Sequence, residues 1–211
     1  MKRIFSITLV VLLFGLFQLQ AKGNDIKVDK TDENGVRVIE TTIETLYTKG
    51  SVFNSARAFF CLRAEVTPDS TYFSLIVMID EGKFSLDKNH SIIMEDGHTL
   101  SMDKGRKLLI KLKNGEIIEL ENILQINAQD CVEVETIIGP NYWVIKPQYP
   151  LSQDAIQKLL SENVEKVRIE TNTNYFDRNV SKLLKFNKHF AKLYNALVER
   201  IATPTTIYDG F

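Results

Sequence analysis

The chain has 211 residues, 26 basic and 27 acidic side chains, a formal net charge of −1 and 44% hydrophobic residues. Near-neutral balance leaves out the strongly basic footprint of a nucleic-acid protein. Beyond the N-terminus no apolar run reaches the length of a membrane-spanning helix.

The first element is a leader. Lys2 and Arg3 precede an apolar run from Ile4 to Phe17, and Ala21 offers a small residue for cleavage, so residues 1–21 read as a secretory signal peptide. A membrane anchor is the other reading, but spanning takes about 20 apolar residues. This run is interrupted by Gly15 and closes in Gln18 and Gln20, and no cysteine stands near Ala21 to accept a lipid. Cleavage takes the 26 basic residues to 24 against 27 acidic ones, a charge of −3. About 190 residues remain, enough to bury roughly 70% of the unfolded surface in one core. The expected location is outside the cytoplasm, in the periplasm, at the cell surface or in the medium.

Residues 22–35 are polar and charged and read as a tether or frayed terminus. Asp25, Asp29, Asp32 and Gly35 suggest a calcium loop. It fails, because counting back from Gly35 puts Lys30 where the first carboxylate belongs. Residues 36–211 are then expected to form a single domain.

From Val36 to about Lys146 the dominant period is two. The expected strands are Val36 to Thr48, Ala56 to Thr67, Tyr72 to Asp80, Ser91 to Met94, Thr99 to Met102, Lys107 to Lys113, Glu116 to Leu120, Val132 to Ile138 and Tyr142 to Lys146. Asp96-Gly97 and Asn114-Gly115 are turn dipeptides that tolerate positive φ. Around the second turn the expected register pairs Lys113 with Glu116, Leu112 with Ile117 and Leu109 with Leu120.

Cys61 and Cys131 are the two cysteines. Phe60, Leu62, Ala64 and Val66 take one parity of their strand, so Cys61 falls in phase with Arg63 and Glu65. Cys131 is likewise in phase with Glu133 and Glu135. Both thiols are expected on the wetter face. A Cys61–Cys131 bridge would close a loop of about 70 residues and stabilise by roughly 4 kcal/mol; two unpaired strand cysteines fit the sequence equally well.

After Pro147 the period changes. Ser152 is placed to cap a helix running to about Glu162, with Leu151 and Ile156 as a hydrophobic staple and Asn163 at a left-handed exit. Val164 to Thr171 alternates again, so strand, helix and strand here suggest a right-handed crossover between parallel strands. A last helix is expected from about Asp177 to Ala202, with Leu183, Phe186, Phe190, Leu193, Leu197 and Ile201 as its apolar stripe. Pro204 ends it.

Many strands followed by helices predict an α+β domain: a mostly antiparallel sheet or sandwich covered on one face by C-terminal helices. An outer-membrane barrel is the rival, since short alternating strands and a terminal Phe211 are what it would show.

The stretch from Gly105 to Leu120 (GRKLLIKLKNGEIIEL), Tyr149-Pro150 with the helix that follows, and Val164 to Thr171 (VEKVRIET) carry a resemblance. Over roughly Thr71 to Ile201 the chain resembles uncharacterised secreted proteins of Bacteroidetes-type bacteria. The resemblance implies a bacterial, exported protein and carries no activity or catalytic residues.

Chemistry-bearing groups are sparse. His90 and His98 flank Met94, Glu95 and Asp96, but a structural zinc site takes four ligands of defined spacing, and no second cluster supplies them. No Gly-x-Ser-x-Gly elbow or phosphate-cradling glycine loop is present. Glu133 and Glu135 share a strand parity, which a solvated face explains. Phe59, Tyr142, Trp143 and Tyr149 are the candidate stacking rings for a glycan. Along the last helix Arg178, Lys182, Lys185, Lys188, His189 and Lys192 form a basic face with hardly an acid before Glu199, suited to an anionic surface; lysines displayed for solubility account for it as well.

The expectation is an exported, non-enzymatic module without a cofactor that binds an envelope component, a glycan or a protein. The alternatives are a small secreted hydrolase or glycan-processing accessory with a site assembled across loops, and a structural piece of an envelope assembly.

Overall fold

Phe60, Leu62 and Ala64 are buried in the main core while Arg63 between them and Glu65 after them are only partly covered, the period of two that a strand with unlike faces requires. The computed structural model describes residues 25–51, 54–80, 84–86, 92–94, 100–127, 130, 132–134, 142–173, 175–180 and 185–203. In chain order the strands are β1 (Ile26–Thr31), β2 (Arg37–Thr41), β3 (Glu44–Ser51), β4 (Asn54–Val66), β5 (Thr71–Asp80), β6 (Phe84–Leu86), β7 (Ile92–Met94), β8 (Lys107–Leu112), β9 (Ile117–Glu121), β10 (Val132–Val134), β11 (Tyr142–Val144) and β12 (Gln148–Leu151). Helix α1 (Gln153–Ser161), β13 (Val164–Glu170), β14 (Tyr175–Asn179) and helix α2 (Phe186–Ala202) complete the order. The leader, Asp96-Gly97, His90, His98, Cys131, Glu135 and Lys182 lie outside the described residues.

The fold is α+β. Strands run in the order β1-β2-β4-β5-β12 in a six-stranded sheet, with β3 also paired to β4, and β14-β13-β8-β9 form a four-stranded sheet. Every pairing between these strands is antiparallel among the described residues. Among the described residues both strand orders are open at their ends, two sheets in place of the closed sheet of the barrel alternative. No helix among the described residues is long and apolar enough to cross a membrane.

One core joins both sheets and both helices. Leu62, Leu75 and Val77 of the larger sheet, Leu108, Ile110 and Val167 of the smaller, Ile156 and Leu159 of α1 and Phe190 and Leu193 of α2 all belong to it. Rings link α2 to the larger sheet: Phe60 lies 4.7 Å from Phe186, and Phe73 lies 5.4 Å from Tyr194. Burying one such ring contributes about 2–3 kcal/mol, which is what fixes a helix whose start lacks a side-chain cap.

The expected tether contains β1, a correction to the polar reading of residues 22–35. β1 pairs with β2 over Thr31↔Arg37 to Ile26↔Thr41. The acidic stretch is a hairpin turn, in which the Asp32 carboxylate accepts from the Asn34 and Val36 backbone N–H groups, each at 2.9 Å. The expected strand Val36 to Thr48 divides into β2 and β3, which lie end to end along the same side of β4. At the break the Leu62 N–H donates to Thr41 Oγ1 at 3.0 Å, a side chain replacing the missing backbone acceptor. Of the expected strand Thr99 to Met102, residues 100–102 are described and pair through a bridge from Met102 to Ile126.

The hairpin register is one residue off the expected one. Leu108 faces Leu120 and Ile110 faces Ile118, because Leu112 N–H bonds Glu116 O at 2.9 Å and Gly115 N–H bonds Leu112 O at 3.0 Å around a three-residue loop. Gly115 takes φ +92°, the left-handed position such a loop requires. The slip decides the faces: Ile117 is 61% exposed while Ile118 is buried.

Ser152 caps α1 as expected, its Oγ accepting from Ala155 N–H at 3.1 Å. The expected left-handed exit at Asn163 is not seen: Asn163 does not take a positive φ, and the cap residue Glu162 is extended at φ −112°. The expected parallel crossover is also corrected: β12 pairs with β5 and β13 with β8, so α1 connects two sheets. The last helix begins at Phe186, nine residues after the expected start, because Tyr175–Asn179 pairs with β13 as β14. Arg168 and Asp177 are direct cross-strand partners there, joined at 2.6 and 2.7 Å.

Candidate functional site

β5 is apolar on both parities from Leu75 to Ile79. Leu75, Val77 and Ile79 enter the main core, whereas Ile76 and Met78 form a second, smaller cluster with Cys61 and Val144 on the opposite, outer face of the six-stranded sheet. Register places Cys61 on one side of Ile76 and Gln148 on the other. Cys61 is a free, buried cysteine, which corrects its expected place on a wet face.

A cavity of about 190 Å³ opens over this cluster, with Cys61, Ile76 and Met78 in its floor and Lys27, Arg63 and Lys146 among its walls. A wider groove of about 430 Å³ shares Gln148 with it and is lined by Tyr72, Ser74, Ile123 and Pro150. Asn122 builds the wall between β9 and β12. Its Nδ2 donates to Leu124 O at 2.6 Å and Asp103 O at 3.2 Å, and its Oδ1 accepts from Leu124 N at 3.2 Å and Gln148 N at 3.1 Å. Ile123 N–H closes the contact on Gln148 O at 3.0 Å. A buried amide so fully engaged holds Ile123 and Leu124 beside the grooves.

The polar side chains of this face are mostly spent on one another. Arg63 reaches Glu40 at 3.1 Å and Glu65 at 2.9 Å, and Gln148 Nε2 donates to Ser74 Oγ at 3.1 Å. Lys27 and Lys146 are exposed and have no acidic partner among the described residues. Burial, with the Glu40 charge adding to it, pushes the Cys61 thiol up to about 12, so the sulfur stays a protonated, unreactive part of the floor at neutral pH. Among the described residues no histidine lines either groove, and none form a cluster of His, Cys, Asp and Glu able to hold a metal ion.

Among the described residues the expected basic face is not a face of one helix. Arg178 stands on β14, not on the helix, and Lys182 lies outside the described residues. Lys185 precedes α2 in a left-handed conformation at φ 39°, and Lys188 is exposed on the first turn. Lys192 is paired with Asp25 at 2.7 Å and lies 3.8 Å from Glu44, while His189 Nδ1 is 3.0 Å from Glu44. The acids missing from the helix sequence arrive from the N-terminal strands.

Among the candidate rings Tyr149 is fully buried, its hydroxyl donating to Met102 Sδ at 3.5 Å, and Phe59 packs on the outer cluster. Tyr142 and Trp143 are in β11, and Glu133 faces Trp143 across the β10–β11 pair. Tyr72, Ile123, Asn122, Lys27 and Lys146 were not singled out by the sequence. The one available signal was the unbroken apolar run from Leu75 to Ile79, which marks a strand covered on both faces.

Fold and site thus define an α+β domain with an open groove across the outer face of its larger sheet. Comparison with protein-family models, with curated proteins and with solved structures found no match to this chain.

Proposed function

We propose that the protein is an exported, non-catalytic binding module that holds a partner against the outer face of its six-stranded sheet. Support comes from one observation: Tyr72, Ile123 and Leu124 are 61%, 41% and 38% exposed along the two adjoining grooves. Large apolar groups left in water beside a groove mark a surface meant to be covered, and aromatic anchors carry much of the energy in such contacts. Apart from Lys27 and Lys146, the polar groups around them pair with one another, so the face offers contact area and orientation. The export half of the reading rests on Lys2, Arg3, the run from Ile4 to Phe17 and Ala21. An envelope component, a glycan or a protein is the partner class that an exported bacterial protein of this kind meets.

The test compares wild type with a Tyr72→Ala/Ile123→Asp variant for retention of components from native envelope extract and for binding to a glycan panel, with circular dichroism as the control for folding. A folded variant that loses at least tenfold in binding supports the proposal. Equal binding by the two proteins rejects the surface. Recovery of an intact Met1 from cytosolic material rejects export.

A further inference from the structure

We infer that the smaller cavity on this face takes a medium-chain fatty acid, its chain lying on Cys61, Ile76 and Met78 and its carboxylate held between Lys27 and Lys146. The inference rests on the outer face being the binding surface and names the class of ligand.

Three observations combine. The floor is apolar and separate from the main core: Cys61, Ile76 and Met78 belong to a second cluster, against which Ile43 and Phe59 pack. Methionine adapts its shape to an irregular hydrocarbon neighbour. The walls carry unmatched positive charge: Arg63 is held by Glu40 and Glu65, which leaves Lys27 and Lys146 without an acidic partner among the described residues. Glu40 also lines the cavity but is paired with Arg63, so Lys27 and Lys146 leave a net positive field over the low-dielectric floor that favours a ligand of opposite sign. The volume of about 190 Å³ is below the roughly 300–1,000 Å³ of sites for drug-sized ligands, which disfavours a nucleotide, and the apolar floor favours a hydrocarbon chain over a sugar. An amphiphile with one negative end satisfies floor and walls together. A neutral chain leaves both lysines unused, and a cationic one is repelled.

The experiment titrates the mature protein with sodium decanoate, decyltrimethylammonium and acetate, using calorimetry and the ¹³C-methyl signals of its methionines, with Met78 assigned through Met78→Leu. Decanoate is expected to bind and shift the Met78 methyl, while the cationic amphiphile and acetate do neither. Lys27→Glu/Lys146→Glu is expected to weaken decanoate at least tenfold without changing the melting temperature, and Lys146→Gln alone severalfold. Decanoate binding weaker than about 1 mM, equal binding of the cationic chain, or unchanged affinity in the double variant overturns the inference. Failure here with continued partner loss in Tyr72→Ala/Ile123→Asp leaves the broader surface standing. Decanoate binding with no effect of that variant on partners has the opposite meaning.

Discussion

Arg37 grips Asp29 through two parallel hydrogen bonds, Nε to Oδ1 at 2.8 Å and Nη2 to Oδ2 at 2.7 Å. The same guanidinium donates to Thr203 O at 3.1 Å and Arg200 O at 3.2 Å, and Arg200 Nε also donates to Asp29 Oδ2. One carboxylate thereby ties β1, β2 and the C-terminal end of α2, where cations complement the helix dipole and its unpaired carbonyls.

Loss of that carboxylate is expected to be costly. The Arg37 hydrogen bonds, joined by Arg200, hold the Asp29 carboxyl below its ordinary 3.8. A lowered folded-state value contributes stability above about pH 4 that disappears as pH falls through the folded value. Asp29→Ala leaves two guanidinium groups without their shared partner and should cost about 3 kcal/mol at pH 7. Urea midpoints at pH 7 and pH 3 check this: the gap between wild type and Asp29→Asn should narrow at the lower pH. A gap that stays constant would mean the ion pairs do not carry the stabilisation.

Gly115 at φ +92° meets nothing within 4 Å at an added Cβ, so substitution there probes backbone strain alone. Gly115→Ala should lose about 1–2 kcal/mol, and Gly115→Asn clearly less, because asparagine tolerates the left-handed region. Equal urea midpoints for Gly115→Ala and wild type would contradict the three-residue loop.

Ser152→Ala removes the acceptor for the Ala155 N–H and should lower stability by about 1 kcal/mol, whereas Ser152→Asp should retain it. Thermal melts of the three proteins decide the matter. A Ser152→Asp melt as low as that of Ser152→Ala would remove the cap from the account.

Alkaline solution should weaken the fold through Cys61. Its thiol is raised from 9.0 to about 12 by burial, so the unfolded chain loses its proton first. Stability therefore falls between about pH 9 and pH 12, by roughly 3 kcal/mol at pH 11. Burial also raises the Tyr149 phenol, which adds to the alkaline loss. Cys61→Ala should unfold with a visibly weaker dependence on pH across this range, and iodoacetamide at pH 8 should label Cys61 slowly until urea is added. Fast native labelling would show that the sulfur is open to solvent.

What the sequence determined by itself is what depends on near neighbours: the α+β class, alternation in β4 and β8, the Ser152 cap, and the stripe of Phe186, Phe190, Leu193 and Leu197 buried in α2. A period of two or of 3.6 reports how much of an element is covered, and it is readable without knowing what covers it. Tertiary structure alone decided the partners. β1 is too polar to read as a strand until Asp29 meets Arg37 and Arg200, Lys192 looks unmatched until Asp25 arrives, and Tyr175–Asn179 reads as helix until Arg168 faces Asp177. The outer groove needs β2, β4, β5, β12 and the Asn122 loop together. Ion pairs and sheet pairings join residues far apart along the chain, and local periodicity carries no record of which distant residue will stand opposite.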